Sequence, residues 1–242
     1  GKPGLLKPTA DLAVSRTQSI EHVVVGDRVA SSGGDAPIDW VEGRDHWYHE
    51  LCKLPIAQGR CETVQVDAED PLFILYTSGS TGKPKAIPGN PRTGAAALQI
   101  MMSEWEWPIE PRILAVVPLS HAGGSLFGPM LLKHGTMVVL PMFEPGAVLA
   151  AIEKYRITCT MLVPTMIYAL LDHPDFDKYD LSSLETIFYG ASLMSPVRLK
   201  EGLERIGPVF YQFYGQAEAP MTVCVMRRSE HDASNPNRLA SC

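Results

Sequence analysis

No apolar run in this chain approaches the roughly 20 residues that a membrane-spanning helix needs, and the Gly1 end lacks the charged-then-apolar pattern of a secretory leader. Cysteine is scarce. The five present, Cys52, Cys61, Cys159, Cys224 and Cys242, are odd in number and include no CxxC pair, which argues against a disulfide framework or a cysteine zinc site. Positive charge is short as well: 21 Lys and Arg stand against 27 Asp and Glu, a formal net charge of -6 with no basic stripe. Nucleic acid and anionic membrane surfaces are therefore not expected as partners. Internal repeats and low-complexity tracts are also missing. What remains is a chain of 242 residues, 45% hydrophobic, long enough to bury a sizeable core and expected to be cytoplasmic with reduced thiols.

Three stretches are predicted. Residues 1–70 form an irregular N-terminal segment whose short apolar runs include a strand at 23–25 and a glycine-rich loop at 33–37. Residues 46–52, HWYHELC, are expected to form a partly buried amphipathic helix, a reading preferred over a metal site built on His46 and His49. In residues 71–228, apolar, β-prone runs at 72–76, 113–117, 137–140, 158–163, 186–189 and 209–213 alternate with helix-length segments at 93–103, 125–133, 147–155, 165–171 and 196–206. That alternation predicts an α/β fold with a mainly parallel sheet flanked by helices, and ligands at the C-terminal ends of its strands. Residues 229–242 are polar, lack either period, and are expected to be disordered.

The densest chemistry lies in LFILYTSGSTGKPKA, residues 72–86. Thr77, Ser78, Gly79, Ser80, Thr81 and Gly82 offer hydroxyls and closely approachable backbone N–H groups, and Lys83 and Lys85 add positive charge, the composition of a phosphate cradle. The Walker A spacing is not met, because Gly79 and Gly82 have only two residues between them and Lys83 is followed by Pro84, so a P-loop ATPase is disfavoured. A generic Gly/Ser hairpin is the plainer alternative.

YTSGSTGKPK resembles the signature loop of the adenylate-forming superfamily, which includes acyl-CoA synthetases, luciferases and peptide-synthetase adenylation domains. Three further stretches resemble the family's motifs in the same order. PLSHAGG (118–124) implies that His121 lies beside the acyl substrate; YGASLMSP (189–196) implies an adenine-packing turn at Gly190, Ala191 and Ser192; FYGQAEA (213–219) implies Tyr214 stacked on adenine, with Gly215 and Gln216 beside it and Glu218 holding magnesium. The resemblance implies ATP and Mg2+ as cofactors, a small-molecule carboxylic acid as substrate, and His121, Glu218 and Lys83 as the catalytic set. Singly, each residue has an ordinary explanation: a structural histidine, a core tyrosine, a solvated acid. Four motifs in order outweigh them.

The family usually has Thr before the glutamate, whereas Ala217 stands here. Loss of one hydroxyl contact to a charged group costs about 1.5–3 kcal/mol. Residues 1–85 resemble acetyl-CoA synthetase (HVVVGDR, IDWVEGRDHWYHEL), while 87–242 resemble medium- and long-chain fatty acyl-CoA ligases (ILAVVPLSHAGG, ITCTMLVPTMIYALLDHP), which implies a hybrid joined at the shared loop. The resemblance covers a central piece of the family's large domain. Its ribose-binding aspartate, its hinge arginine and the lysine of its C-terminal domain have no counterpart in these residues, which leaves CoA out of the expected reaction and uncovered surfaces favouring a homo-oligomer. The expectation is activation of a fatty acid to an acyl-adenylate with pyrophosphate release. A nucleotide-binding module without turnover and a folded remnant are the alternatives.

Overall fold

The computed structural model describes residues 6–26, 38–77 and 84–241, in two compact units, 1–65 and 66–242. The first unit holds α1 (Leu6–Val14), β1 (Val23–Val25), β2 (Asp45–Trp47) and α2 (Tyr48–Leu51), with β1 and β2 paired in parallel. So short a sheet needs other fastenings. The carboxylate of Asp45, with no exposed side-chain surface, takes Lys7 at 2.6 Å and Arg44 at 2.7 Å, and the backbone N–H of Val41 donates to it at 2.9 Å. The bond from Arg44, followed by those from Lys7 and Val41, holds the carboxyl well below the usual carboxylate range despite burial. Residues 46–52 depart from the expected amphipathic helix. His46 belongs to β2 and meets His22 across the pair at 3.1 Å, and the helix that follows has four residues, none buried. Trp47 is spent on stacking with Trp40, at 4.7 Å between ring centroids, so the aromatic serves a strand face and not a helix face.

The second unit begins with β3 (Phe73–Thr77) and β4 (Lys85–Gly89), an antiparallel hairpin forming its own two-stranded sheet. Then come α3 (Pro91–Glu104), β5 (Arg112–Ala115), α4 (Phe127–Leu132), β6 (Thr136–Val139), α5 (Pro145–Tyr155), β7 (Cys159–Leu162), α6 (Pro164–Leu171), β8 (Thr186–Tyr189), α7 (Pro196–Arg205), β9 (Phe210–Gln216), β10 (Ala219–Met226) and α8 (Pro236–Leu239). Six of these strands form one sheet in the order β10-β9-β8-β7-β5-β6, parallel except for β10.

Alternation along the strands divides the core between the two faces of this sheet. Leu114, Leu162, Ile187, Tyr189 and Phe210 pack with Leu149 and Ile152 of α5, Ile167 of α6 and Leu199 of α7. Ile113, Met161, Phe188, Tyr211 and Phe213 pack on the other side with Met101, Trp105, Trp107 and Leu126. Helix starts follow local chemistry. Asn90 and Thr93 form a reciprocal capping box at α3, and the Glu144 carboxylate accepts the N–H groups of Gly146 and Ala147 at α5, with Pro at the first position of both.

The C-terminal stretch also departs from expectation. Residues 229–241 contain regular elements: a 3-10 turn at Arg228–Glu230 leads to α8, and Leu239 is buried in the core. Its anchors are polar and distant in sequence. Arg227 pairs with Glu104 at 2.7 Å, Arg228 Nε with Glu106 at 3.2 Å, and Arg228 also donates to the Glu185 carbonyl at 2.7 Å. Among the described residues, no helix is long and apolar enough to cross a membrane.

Candidate active site

β5, β8 and β9 run parallel, so the loops after them leave from one edge of the sheet. From β5 to β9 is three strand intervals, about 14 Å. After β5 the chain turns through Pro118, whose carbonyl accepts the His121 N–H at 3.0 Å, into a 3-10 turn at Ala122–Leu126. His121 is exposed, its Nδ1 3.0 Å from Ser120 Oγ.

After β8 comes Gly190. A Cβ there would lie 2.3 Å from the Phe213 carbonyl oxygen of β9, so only glycine lets the two strand ends approach as they do. Ala191 then takes the left-handed backbone region with φ 69°, and both Ala191 and Ser192 face solvent. The turn is closed by the Ser195 N–H, which donates to the Tyr168 hydroxyl at 2.7 Å.

On β9, Phe213 is buried, whereas Tyr214 is 45% exposed and its hydroxyl accepts from Gln216 Nε2 at 2.8 Å. Tyr214 is thus not spent on the core. Gln216 pairs with Ala219, which places Ala217 and Glu218 in the tight turn between β9 and β10. Among the described residues the exposed Glu218 carboxylate has no cationic partner. The bulge that follows leaves Met221 at φ 58°, and the absence of a side chain at Gly215 makes room for it, since a Cβ there would sit 2.1 Å from the Met221 nitrogen. Met221 Sδ lies 3.6 Å from Ser125 Oγ, which ties the loop after Glu218 to the loop carrying His121. Sequence reasoning did not single out Ser120, Ser125 or Met221, because each acts through contacts between loops.

The structure therefore brings His121, the 190–192 turn, Tyr214, Gly215, Gln216 and Glu218 to one edge. The Thr77 to Lys85 stretch is different. Thr77 and Lys85 face each other as the last pair of the β3–β4 hairpin, which, contrary to the expectation from the run of strands, is not hydrogen-bonded into the six-stranded sheet. Ser78, Gly79, Ser80, Thr81, Gly82 and Lys83 lie outside the described residues. Apolar side chains of the hairpin, among them Phe73 and Tyr76, are more than half exposed. A concavity of about 350 Å3 lined by Glu110, Arg112, Lys133, His134 and Thr136 sits at the opposite, N-terminal end of β5 and β6, away from the loops above.

A family model described as AMP-binding enzyme matches residues 7–240. The medium/long-chain-fatty-acid–CoA ligase FadD8 of Mycobacterium tuberculosis is 53% identical over 171 residues, covering 71% of this chain and 29% of that protein. Acetyl-coenzyme A synthetase of Leptospira biflexa is 34% identical over 208 residues, 77% of this chain and 30% of that protein. That length carries the acetyl-CoA synthetase likeness well past the first 85 residues. Among solved structures, the amide bond synthetase McbA from Marinactinospora thermotolerans matches with a TM-score of 0.71 and 28% identity over 97% of this chain and 43% of that one. The chain spans under a third of the length of these two curated relatives.

Proposed function

We propose, from the premise that this chain belongs to the AMP-binding enzyme family, that it carries the adenylation half-reaction of an acyl-CoA synthetase. A carboxylate oxygen attacks the α-phosphorus of ATP, the acyl–phosphate bond forms, and the α–β phosphoanhydride breaks as pyrophosphate leaves with the electron pair. The observation that carries this reading is the gathering of His121, residues 190–192, Tyr214 and Glu218 at one edge of a parallel sheet, where α/β folds place ligands.

Tyr214 offers its open face to adenine, a contact worth about 1–3 kcal/mol, while the 190–192 turn packs against the base. Ser78, Ser80, Thr81, Lys83 and Lys85 hold the β- and γ-phosphates, and His121 orients the acyl end, with Ser120 fixing its ring. The donor set suits magnesium. The Glu218 carboxylate at the turn is a hard oxygen ligand, and the ion would take its remaining ligands from phosphate and water. Bound there, magnesium would supply neutralisation of the triphosphate charge. A fatty acid is the favoured substrate because the relative named for medium- and long-chain acids is 53% identical.

Ala217 favours a second reading, nucleotide binding without turnover, since it offers a methyl group where the family usually has a hydroxyl. ATP–pyrophosphate exchange with acids from acetate to long fatty acids separates the two. Exchange that requires a fatty acid and is lost in Glu218→Ala supports adenylation. ATP binding with no exchange for any acid supports the second reading, and no binding at all overturns both.

A further inference from the structure

The loop after β8 is held at its start by a group that no motif singled out. Tyr189, the residue bonded to Gly190, is completely buried, and its hydroxyl lies 2.9 Å from His231 Nε2. His231 Nδ1 lies 2.8 Å from the carbonyl oxygen of Arg227. A carbonyl only accepts, so Nδ1 carries the hydrogen, Nε2 carries the lone pair, and the Tyr189 hydroxyl donates to it. His231 is 7% exposed.

Its own position is imposed from outside. The segment 227–239 is pinned by Arg228, whose N–H donates to Glu106 at 2.8 Å, and by Leu239 in the core. The turn that Tyr189 leads into has little slack, because Gly190 lies against the Phe213 carbonyl and Ala191 occupies a backbone region that costs an L-residue energy unless its surroundings enforce it. The far end of the turn is held by the hydroxyl of Tyr168. Two tyrosine hydroxyls thus bracket residues 190–194, one accepting from backbone and one donating to a buried histidine.

We propose that His231 is a positioning residue for the adenine turn: by accepting the Tyr189 hydroxyl it fixes the end of β8, and so residues 190–192, from a segment that touches no nucleotide. The role as an adenine turn rests on the function proposed above; the positioning does not. The charged groups around the imidazole are Glu230 on its own 3-10 turn, Glu106 after α3 and Arg238 on α8, facing it along with the Tyr189 hydroxyl and the Arg227 carbonyl. Burial outweighs the two carboxylates and keeps the ring neutral to lower pH than a free histidine.

The test compares wild type with His231→Leu, His231→Gln and Tyr189→Phe, the last removing only the hydroxyl and serving if His231→Leu does not fold. Hydrogen exchange of the peptide spanning 188–194 is expected to quicken in His231→Leu and Tyr189→Phe and to return towards wild type in His231→Gln, whose side-chain oxygen accepts where Nε2 did. By calorimetry, ATP affinity is expected to fall about tenfold in His231→Leu and Tyr189→Phe, the worth of one buried hydrogen bond. Inorganic tripolyphosphate, which reports on the phosphate loop alone, is expected to bind as in wild type. Unchanged exchange at 188–194 in both variants overturns the proposal, as does an equal fall in ATP and tripolyphosphate affinity. If wild type binds no ATP, the adenine reading fails while the exchange data still decide the positioning.

Discussion

Replacing Gly190 by alanine tests the packing that brings β8 and β9 together at the site. The added Cβ would stand 2.3 Å from the Phe213 carbonyl oxygen, where 3.0 Å is the closest approach that real Cβ atoms show, so the turn or the β9 backbone has to yield 0.7 Å. The obstacle is backbone, and it cannot rotate away. The ring of Phe213, 2.9 Å from the same point, is itself packed into the core against Trp105. Overpacking of this kind costs about 1–3 kcal/mol, and for a chain of this size each kcal/mol lowers Tm by about 2–4 °C. Scanning calorimetry is therefore expected to show Gly190→Ala melting roughly 2–12 °C below wild type. Gly94 provides the control. It lies within α3 with nothing within 4 Å of its would-be Cβ, so Gly94→Ala is expected to raise stability by about 0.5–1 kcal/mol through helix propensity. A Gly190→Ala protein that melts with or above wild type would refute the packing argument.

Three further outcomes are expected. Asp45 has a depressed folded-state pKa, so its contribution to the first unit is complete above the unfolded value of about 3.9 and is lost as pH falls through the folded value; acid titration followed by the near-UV circular dichroism of the Trp40–Trp47 stack should show a transition below pH ~4 that Asp45→Asn removes. Burial pushes the Cys159 thiol up to about 12, so in the native protein a thiol reagent should label the exposed Cys61 and Cys224 and reach Cys159 only on unfolding, and native labelling of Cys159 would contradict its place in the core. Ala217→Thr restores the hydroxyl and should tighten magnesium–ATP binding by about 10- to 100-fold, the equivalent of one charge-assisted hydrogen bond; no change by calorimetry would mean that the turn does not reach the phosphates.

The strands buried on both faces were legible because helices cover both sides of them. Runs such as 186–189, predicted and observed alike, have no polar side to disguise their length. β10 was not anticipated, since a proline and a bulge break its alternation and its place at the sheet edge exposes much of one face. β4 was hidden for a similar reason: Lys85 and Pro88 carry no strand signal, and its pairing with β3 supplies what the residues do not. The tail misled because local polarity says nothing about partners far away in sequence. Arg227 and Arg228 find Glu104 and Glu106, and His231 finds Tyr189. The site motifs were readable as a sequence of residue types, whereas the contacts that lock them, Phe213 against Gly190 and Met221 against Ser125, exist only after folding.

The most direct test of the account is a hydrogen-exchange footprint of magnesium–ATP on the chain. Slowed exchange is expected in peptides covering 188–194 and 213–219, with smaller changes at 120–124 and none at the concavity around Arg112 and Lys133. Protection at that concavity, with the 188–194 and 213–219 peptides unchanged, would contradict it.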